Sequence, residues 1–297
     1  HGESIVMRIL DKSSLLLGLG ELGFLEEDQK RWEEVIRTAN GIILVTGPTG
    51  SGKTTSLYAV LNELNTPDKK IITVEDPVEY QLSGINQVQV RPQIDLTFAN
   101  ALRSMLRQAP DVILVGEIRD TDTAEIAVRA ALTGHLVFST LHTNDSASAL
   151  TRLIDMGVKP FLVSSSIQAV MAQRLVRTIC KKCAENYRPS EEILKMIEKE
   201  MGKEILKKTN FRKGKGCAEC NHTGYKGRLG IYELLIMSEK IRELVIEGLL
   251  SHQIRDLARE EGMKLLREDG WIKACRGITT VEEVISITQS DVLDVDE

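Results

Sequence analysis

Eight consecutive residues, Gly47-Pro48-Thr49-Gly50-Ser51-Gly52-Lys53-Thr54, constrain this chain's fold more than any other stretch. They fit the phosphate-loop pattern GxxxxGK[ST] at every position. Three glycines let the backbone wrap closely around a polyphosphate with its N–H groups turned inward. Lys53 can reach the outer phosphates as a point charge, and the Thr54 hydroxyl can join a magnesium ion. Ile42 to Thr46 reads as a buried strand just before the loop. Thr55 to Leu61 continues it as a helix with an apolar stripe, which places the phosphates at a helix N-terminus. A glycine-rich turn with a chance lysine is the alternative, but it requires neither the strand nor the helix.

The rest of the pattern agrees with a nucleotide-binding α/β fold. Apolar runs at Ile71 to Val74, Val112 to Gly116 and Leu136 to Thr140, with the alternating Ile85 to Val90, read as further strands. Helical stretches fall at Glu26 to Ala39, Thr54 to Leu64, Thr97 to Gln108, Thr121 to Leu132 and Asp145 to Met156. Asn144 or Asp145 caps the last of these, and Gly157 stops it. Continuous apolar strands separated by helices imply a mostly parallel sheet covered on both faces. From Cys180 a charged stretch with paired cysteines runs to about Tyr225. Short helices are expected at Glu239 to Glu247, Gln253 to Glu260, Met263 to Cys275 and Val281 to Thr288, the last with capping-box spacing from Thr280 to Glu283. An acidic tail, Asp291 to Glu297, follows.

Composition narrows the class. The 297 residues carry a net charge of −5 with 4% aromatic residues, which argues against a protein that coats or stacks on nucleic acid. No apolar run reaches the roughly 18 residues that span a bilayer, and no signal peptide is visible, so a cytosolic location is expected. A strand-like stretch, Ser4 to Leu10, begins almost at residue 1, as though only the end of an N-terminal domain were present.

Three further elements carry chemistry. Asp111-Val112-Ile113-Leu114-Val115-Gly116-Glu117 runs a buried strand into a carboxylate, at the sheet edge where α/β folds bind ligands, so Glu117 would act on magnesium. Thr73-Val74-Glu75-Asp76-Pro77-Val78-Glu79-Tyr80 is poor core material and reads either as a solvated turn or as the source of a carboxylate that polarises water. His135 and His142 bracket a strand at a spacing of seven, which puts them on opposite faces and disfavours a shared metal.

In this order, the phosphate loop, "ITVEDPVEY", "ILVGEIRD" and "TGHLVFSTLHTND" resemble the secretion ATPase family of type II secretion and type IV pilus assembly motors, over essentially residues 1 to 290. The resemblance implies a RecA-like P-loop NTPase core that hydrolyses ATP with Mg2+. It makes Glu79 the water-activating carboxylate and Glu117 the Walker B glutamate. His135 and His142 would sense or transmit nucleotide state, and Thr55 continues the nucleotide-binding loop. Arginines close the family's site: Arg8 in "IVMRIL" matches one, and Arg91, Arg103 and Arg107 are further candidates, each with an ordinary solvated-charge alternative. The resemblance also implies a homo-oligomer, a hexameric ring. It likewise implies a position at the cytoplasmic face of the inner membrane, reached through a platform protein of the secretion or pilus machinery, without nucleic acid.

Cys180-x-x-Cys183 and Cys217-x-x-Cys220 stand 33 residues apart. Two such knuckles can offer four thiolates to a structural Zn2+, and the family carries an insert of this type. Two disulfides are the rival reading, which a cytosolic chain disfavours. Lys181 and Lys182 offset thiolate charge, and Gly214, Gly216 and Gly224 allow tight turns. The insert favours the secretion and assembly branch over retraction motors. The expected units are therefore 1–25, the end of an N-terminal domain; 26–179, the ATPase core; 180–225, the zinc unit; and 226–297, a helical region. A nucleic-acid translocase with a RecA-like core and a regulatory nucleotide switch are the competing classes.

Overall fold

The computed structural model describes residues 2–5, 17–248 and 250–289. Arg8, most of the strand-like Ser4 to Leu10 and the tail Asp291 to Glu297 lie outside them. In chain order the elements are α1 (Glu26–Val35), β1 (Gly41–Thr46), α2 (Lys53–Leu64), β2 (Ile71–Glu75), β3 (Asn86–Gln89), α3 (Phe98–Met105), β4 (Val112–Val115), α4 (Thr121–Leu132), β5 (Leu136–Leu141), α5 (Ala147–Asp155), α6 (Pro160–Ser166) and β6 (Ile167–Ile179). Then come β7 (Ala184–Asn186), α7 (Glu191–Met201), β8 (Arg212–Gly214), β9 (Tyr225–Ile236), α8 (Glu239–Ile246), α9 (Ser251–Glu260), α10 (Leu266–Cys275) and α11 (Val281–Thr288).

The main sheet has seven strands in the order β3-β2-β4-β5-β1-β6-β9. All neighbours are parallel except β6 and β9. Every residue of β1, β2, β4 and β5 is buried, which explains their continuous apolar runs. Successive side chains of β1 serve opposite faces. Ile42 and Leu44 pack with residues of α3 to α6, and Ile43 and Val45 with Trp32 of α1 and Leu57 of α2. Each such side chain contributes about 1.5–3 kcal/mol by leaving water.

Several details depart from the sequence pattern. Helix α1 stops at Val35, because Arg37 and Thr38 bond back to the Glu34 and Val35 carbonyls in a tighter turn. Helix α5 starts at Ala147, with the Asp145 carboxylate accepting the Ser148 N–H at 2.8 Å. At α11, Thr280 Oγ1 accepts the Glu283 N–H, but the Glu283 carboxylate turns to Arg177 instead of completing the box. The largest correction concerns β6 and β9. Residues from 226 on were expected to be helical, yet Tyr225–Ile236 is a strand paired along its length with β6. The cysteine unit is thus an elaboration of the connection between two antiparallel strands. It contains a helix, α7, capped by Ser190, whose Ile197 packs with Trp271 of α10 and Val281 and Val284 of α11.

Strand β9 carries buried charge. Asp269 and Lys273 of α10 pair at 2.6 Å; Asp269 also accepts the Tyr232 N–H, and Lys273 donates to the Gly230 carbonyl. Glu233 is almost fully buried and accepts the N–H and the hydroxyl of Ser146 at 2.8 and 2.5 Å. Desolvation, reinforced by Asp145 and opposed by the Ser146 bonds, pushes its carboxyl up to about 7. The native state then holds this proton more tightly than the unfolded chain does. The contribution is fully present below the ordinary value of 4.5 and is lost as pH rises through about 7. Glu233→Gln should therefore flatten the fall in unfolding free energy between pH 5 and 8 by about 3 kcal/mol. Urea titrations of both proteins across that range check it; parallel pH profiles would exclude the assignment.

Candidate functional site

The phosphate loop joins β1 to α2. Gly47 has φ +148, and a Cβ there would stand 2.5 Å from the Gln173 carbonyl oxygen, so β6 passes directly behind the loop and only glycine fits. Gly52 is the N-cap of α2, which aims the helix's first N–H groups at the loop. The half-buried Lys53 donates from Nζ to the Gly47 and Pro48 carbonyls at 2.7 and 3.1 Å. Desolvation lowers its pKa; Glu117 acts in the opposite direction and Arg174 in the same one.

The loop opens into a cleft of about 650 Å³ lined by residues 49–55, Glu79, Glu117, Arg119, His142 and Arg228, among others. It lies beyond the carboxyl ends of β1, β2, β4 and β5, where parallel sheets place their ligands. Glu117 is held between two cations or potential cations: Arg119 at 2.6 Å and His142 Nε2 at 3.2 Å. Gly116 lets this segment run close under β2, since a Cβ there would be 3.2 Å from the Val74 carbonyl oxygen. In the acidic box, Glu75 turns inward and is bonded by the Tyr58 and Thr73 hydroxyls and by Gln87 Nε2. Glu79, further along, lines the cleft instead. Burial, with the charges of Glu75 and Glu79, pushes the neighbouring Tyr80 phenol up to about 12.

Of the residues singled out by sequence, Thr49, Gly50, Ser51, Gly52, Lys53, Thr54, Thr55, Glu79, Glu117 and His142 come together here. Gly47 and Pro48 lie at the base of the loop and supply its Lys53 acceptors. His135 does not join them. It precedes β5, with Nδ1 2.9 Å from the Ala130 carbonyl oxygen, whereas His142 follows the same strand. A strand rises about 3.3 Å per residue, so the spacing separates the two by roughly 20 Å along β5. Arg91, Arg103 and Arg107 are exposed and outside the lining; Arg103 bonds to Asn100 and pairs with Asp122 of α4 at 3.8 Å, and Arg107 bonds to Ser104. Arg8 is outside the described residues. Sequence reasoning missed Arg119 and Arg228. Arg119 stands two positions after Glu117 and was locally visible; Arg228 reaches the cleft only through the β6–β9 pairing.

A second cluster lies in the β6–β9 connection. The Sγ atoms of Cys180, Cys183, Cys217 and Cys220 all lie within 4.8 Å of one another. Three of the separations are 3.9, 3.8 and 3.7 Å. A tetrahedron with Zn–S near 2.3 Å has edges of about 3.8 Å, so this donor set fits zinc in both chemistry and size. Desolvation opposes ionisation of Cys220, yet N–H bonds from Cys217 and Gly224 and its thiol neighbours bring it down to about 6. A Cβ at Gly214 would sit 2.1 Å from the Gly224 carbonyl oxygen, so the turns beside the knuckles pack backbone on backbone.

A family model described as type II/IV secretion system protein matches residues 1–286. Type II secretion system protein E of Pseudomonas aeruginosa is 50% identical over 291 residues, 98% of this chain and 57% of the relative. The type IV pilus assembly ATPase PilB of Thermus thermophilus is 50% identical over 288 residues, 97% of this chain and 32% of the relative. The chain therefore spans between about a third and just over half of these relatives. Among solved structures, the pilus retraction motor PilT with bound ADP superposes with a TM-score of 0.67 at 29% identity, covering 91% of this chain and 66% of that one.

Proposed function

The chain belongs to the type II/IV secretion system protein family, and on that premise we propose that it is an ATP-hydrolysing motor subunit powering pseudopilus or pilus assembly. The convergence of Lys53, Glu79, Glu117 and His142 on one cleft at the end of a parallel sheet carries this reading. Lys53 and the loop N–H groups bind the ATP phosphates and neutralise charge that grows on the leaving oxygen. Glu79 aligns the attacking water, and phosphoryl transfer needs such alignment and charge stabilisation more than covalent help. Glu117, oriented by His142 and Arg119, faces the phosphates. Thr54 and Glu117 would hold Mg2+, whose charge stabilises the β- and γ-phosphates when bound. Cys180, Cys183, Cys217 and Cys220 would hold a structural Zn2+ with no open position for catalysis.

The relatives' names support work at a secretion or pilus machine, and the cysteine unit favours the assembly branch. We place the chain in a hexameric ring at the cytoplasmic face of the inner membrane, contacting a platform protein there. Among the described residues, no helix is long and apolar enough to cross a membrane. The reading predicts an ATPase whose turnover per chain rises with protein concentration as rings assemble. Phosphate release and light scattering, followed together from about 0.1 to 50 μM with Mg2+ and ATP, test it, over the concentration range in which weak ring contacts form. Folded protein that releases no phosphate at any concentration would sink the proposal.

A further inference from the structure

The segment between His142 and helix α5 is held at every residue, and its anchors include the antiparallel ribbon β6–β9. Thr143 exchanges bonds with Thr46, the last residue before the phosphate loop: its N–H donates to the Thr46 hydroxyl at 2.9 Å, and that hydroxyl lies 2.9 Å from the Thr143 carbonyl. Arg174 of β6, 5% exposed, donates to the Asn144 carbonyl at 2.9 Å. Glu233 of β9, 3% exposed, accepts from both the N–H and the hydroxyl of Ser146. These two charges leave the ribbon close together: Ala172 faces Glu233 and Arg174 faces Ile231 in the pairing. Burying an arginine and a glutamate is costly unless each meets strong partners. Here the partners include Asn144 and Ser146 of one short segment, the one that delivers His142 to Glu117 at 3.2 Å.

We infer that Arg174 and Glu233 are positioning residues: together they clamp Asn144 to Ser146 and so fix His142 against Glu117. This inference rests on the ATP-hydrolysis reading for its consequence, though not for its geometry. The ribbon also passes behind Gly47, carries Arg228 into the cleft and continues into the cysteine unit. Displacement of that unit or of α10, which grips β9 through Asp269 and Lys273, is thereby transmitted to His142.

The test compares the full chain with its Glu233→Ala, Arg174→Ala and Glu233→Gln variants. The last keeps an acceptor oxygen for Ser146 and serves as the rescue. Two-bond 1H–15N spectra resolve the imidazoles of the five histidines, assigned by single His→Asn variants. The expected result is that both alanine variants shift the His142 ring signals and leave His135 unmoved, and that Glu233→Gln restores them. Turnover should follow: kcat down by about 10- to 100-fold in the alanine variants with KM for ATP nearly constant, as for a misplaced catalytic group. An unmoved His142, or His142 and His135 moving together, overturns the clamp. Should Glu233→Ala give no folded protein, the Arg174→Ala spectra decide on the same criterion. Failure of the wild type to hydrolyse ATP would remove the proposed function but leave the spectra as a test of the clamp.

Discussion

On the proposed reading, Lys53→Ala should abolish ATP hydrolysis while leaving the chain folded. The two halves of that result have separate causes. Among the described residues Lys53 bonds only within its own loop, to the Gly47 and Pro48 carbonyls, and no packing cluster includes it. Its removal should change stability by no more than about 2 kcal/mol, the worth of two net hydrogen bonds. For phosphoryl transfer the loss is far larger. The ammonium is half-buried and already partly desolvated, so its charge acts on a phosphate without the screening of bulk water. Removing one preorganised donor of this kind costs about 10²–10³ in kcat, and here the donor also carries a full charge. Phosphate release should fall at least that far, with the circular dichroism spectrum and the urea midpoint close to wild type. A variant that turned over ATP at the normal rate would remove Lys53 from the site, and with it the functional reading of the loop.

How much of this could be read in the chain alone follows from how local each signal is. The phosphate loop, Glu117 and the acidic box are contiguous motifs at strand ends, so strand polarity alone carries them to one edge of the sheet. The buried strands β1, β2, β4 and β5 were legible because burial on both faces leaves an unbroken apolar run. Strands β6 and β9 were not. Their sequences, with Gln173, Arg174 and Glu233 at buried positions, break the apolar pattern where they serve the site. Those charges make sense only once the antiparallel register brings them to Asn144 and Ser146, a non-local fact. The histidine pair shows the opposite error. Counting faces of a strand ignored its length, and it is length that leaves His135 at the far end from the cleft. Helix α7 was hidden for a third reason: its buried face rests mainly on Ile197, and it depends on α10 and α11, far along the chain, for a partner.

If the four cysteines hold the proposed zinc, removing it should open the cysteine unit and leave the nucleotide cleft standing. The four Sγ atoms approach to hydrogen-bonding and ligand distances, not to the 2.05 Å of a disulfide, and all five cysteines of the chain are free thiols. The purified chain should therefore carry about one zinc, and Cys217→Ser should carry almost none, since three thiolates hold the ion far less tightly than four. In peptides that fold only around the metal, zinc supplies about 10–16 kcal/mol. The cost here should be smaller, of the order of several kcal/mol. Helix α7 keeps apolar partners in Trp271 and Val284, and the β6–β9 pairing continues below the knuckles without help from the ion. The hairpin of β7 and β8 has only three residues in each strand, and a two-stranded sheet of that size is marginal in water. Limited proteolysis should accordingly cut between residues 180 and 225 in the variant or in chelator-treated protein, while a fluorescent ATP analogue still binds. Reducing agent alone should do nothing. Cleavage provoked by reductant and not by chelator would establish disulfides in place of zinc. Equal protease resistance with and without the metal would show that the backbone contacts of Gly214 with Gly224 and of Cys180 with Gly224 suffice to hold the unit.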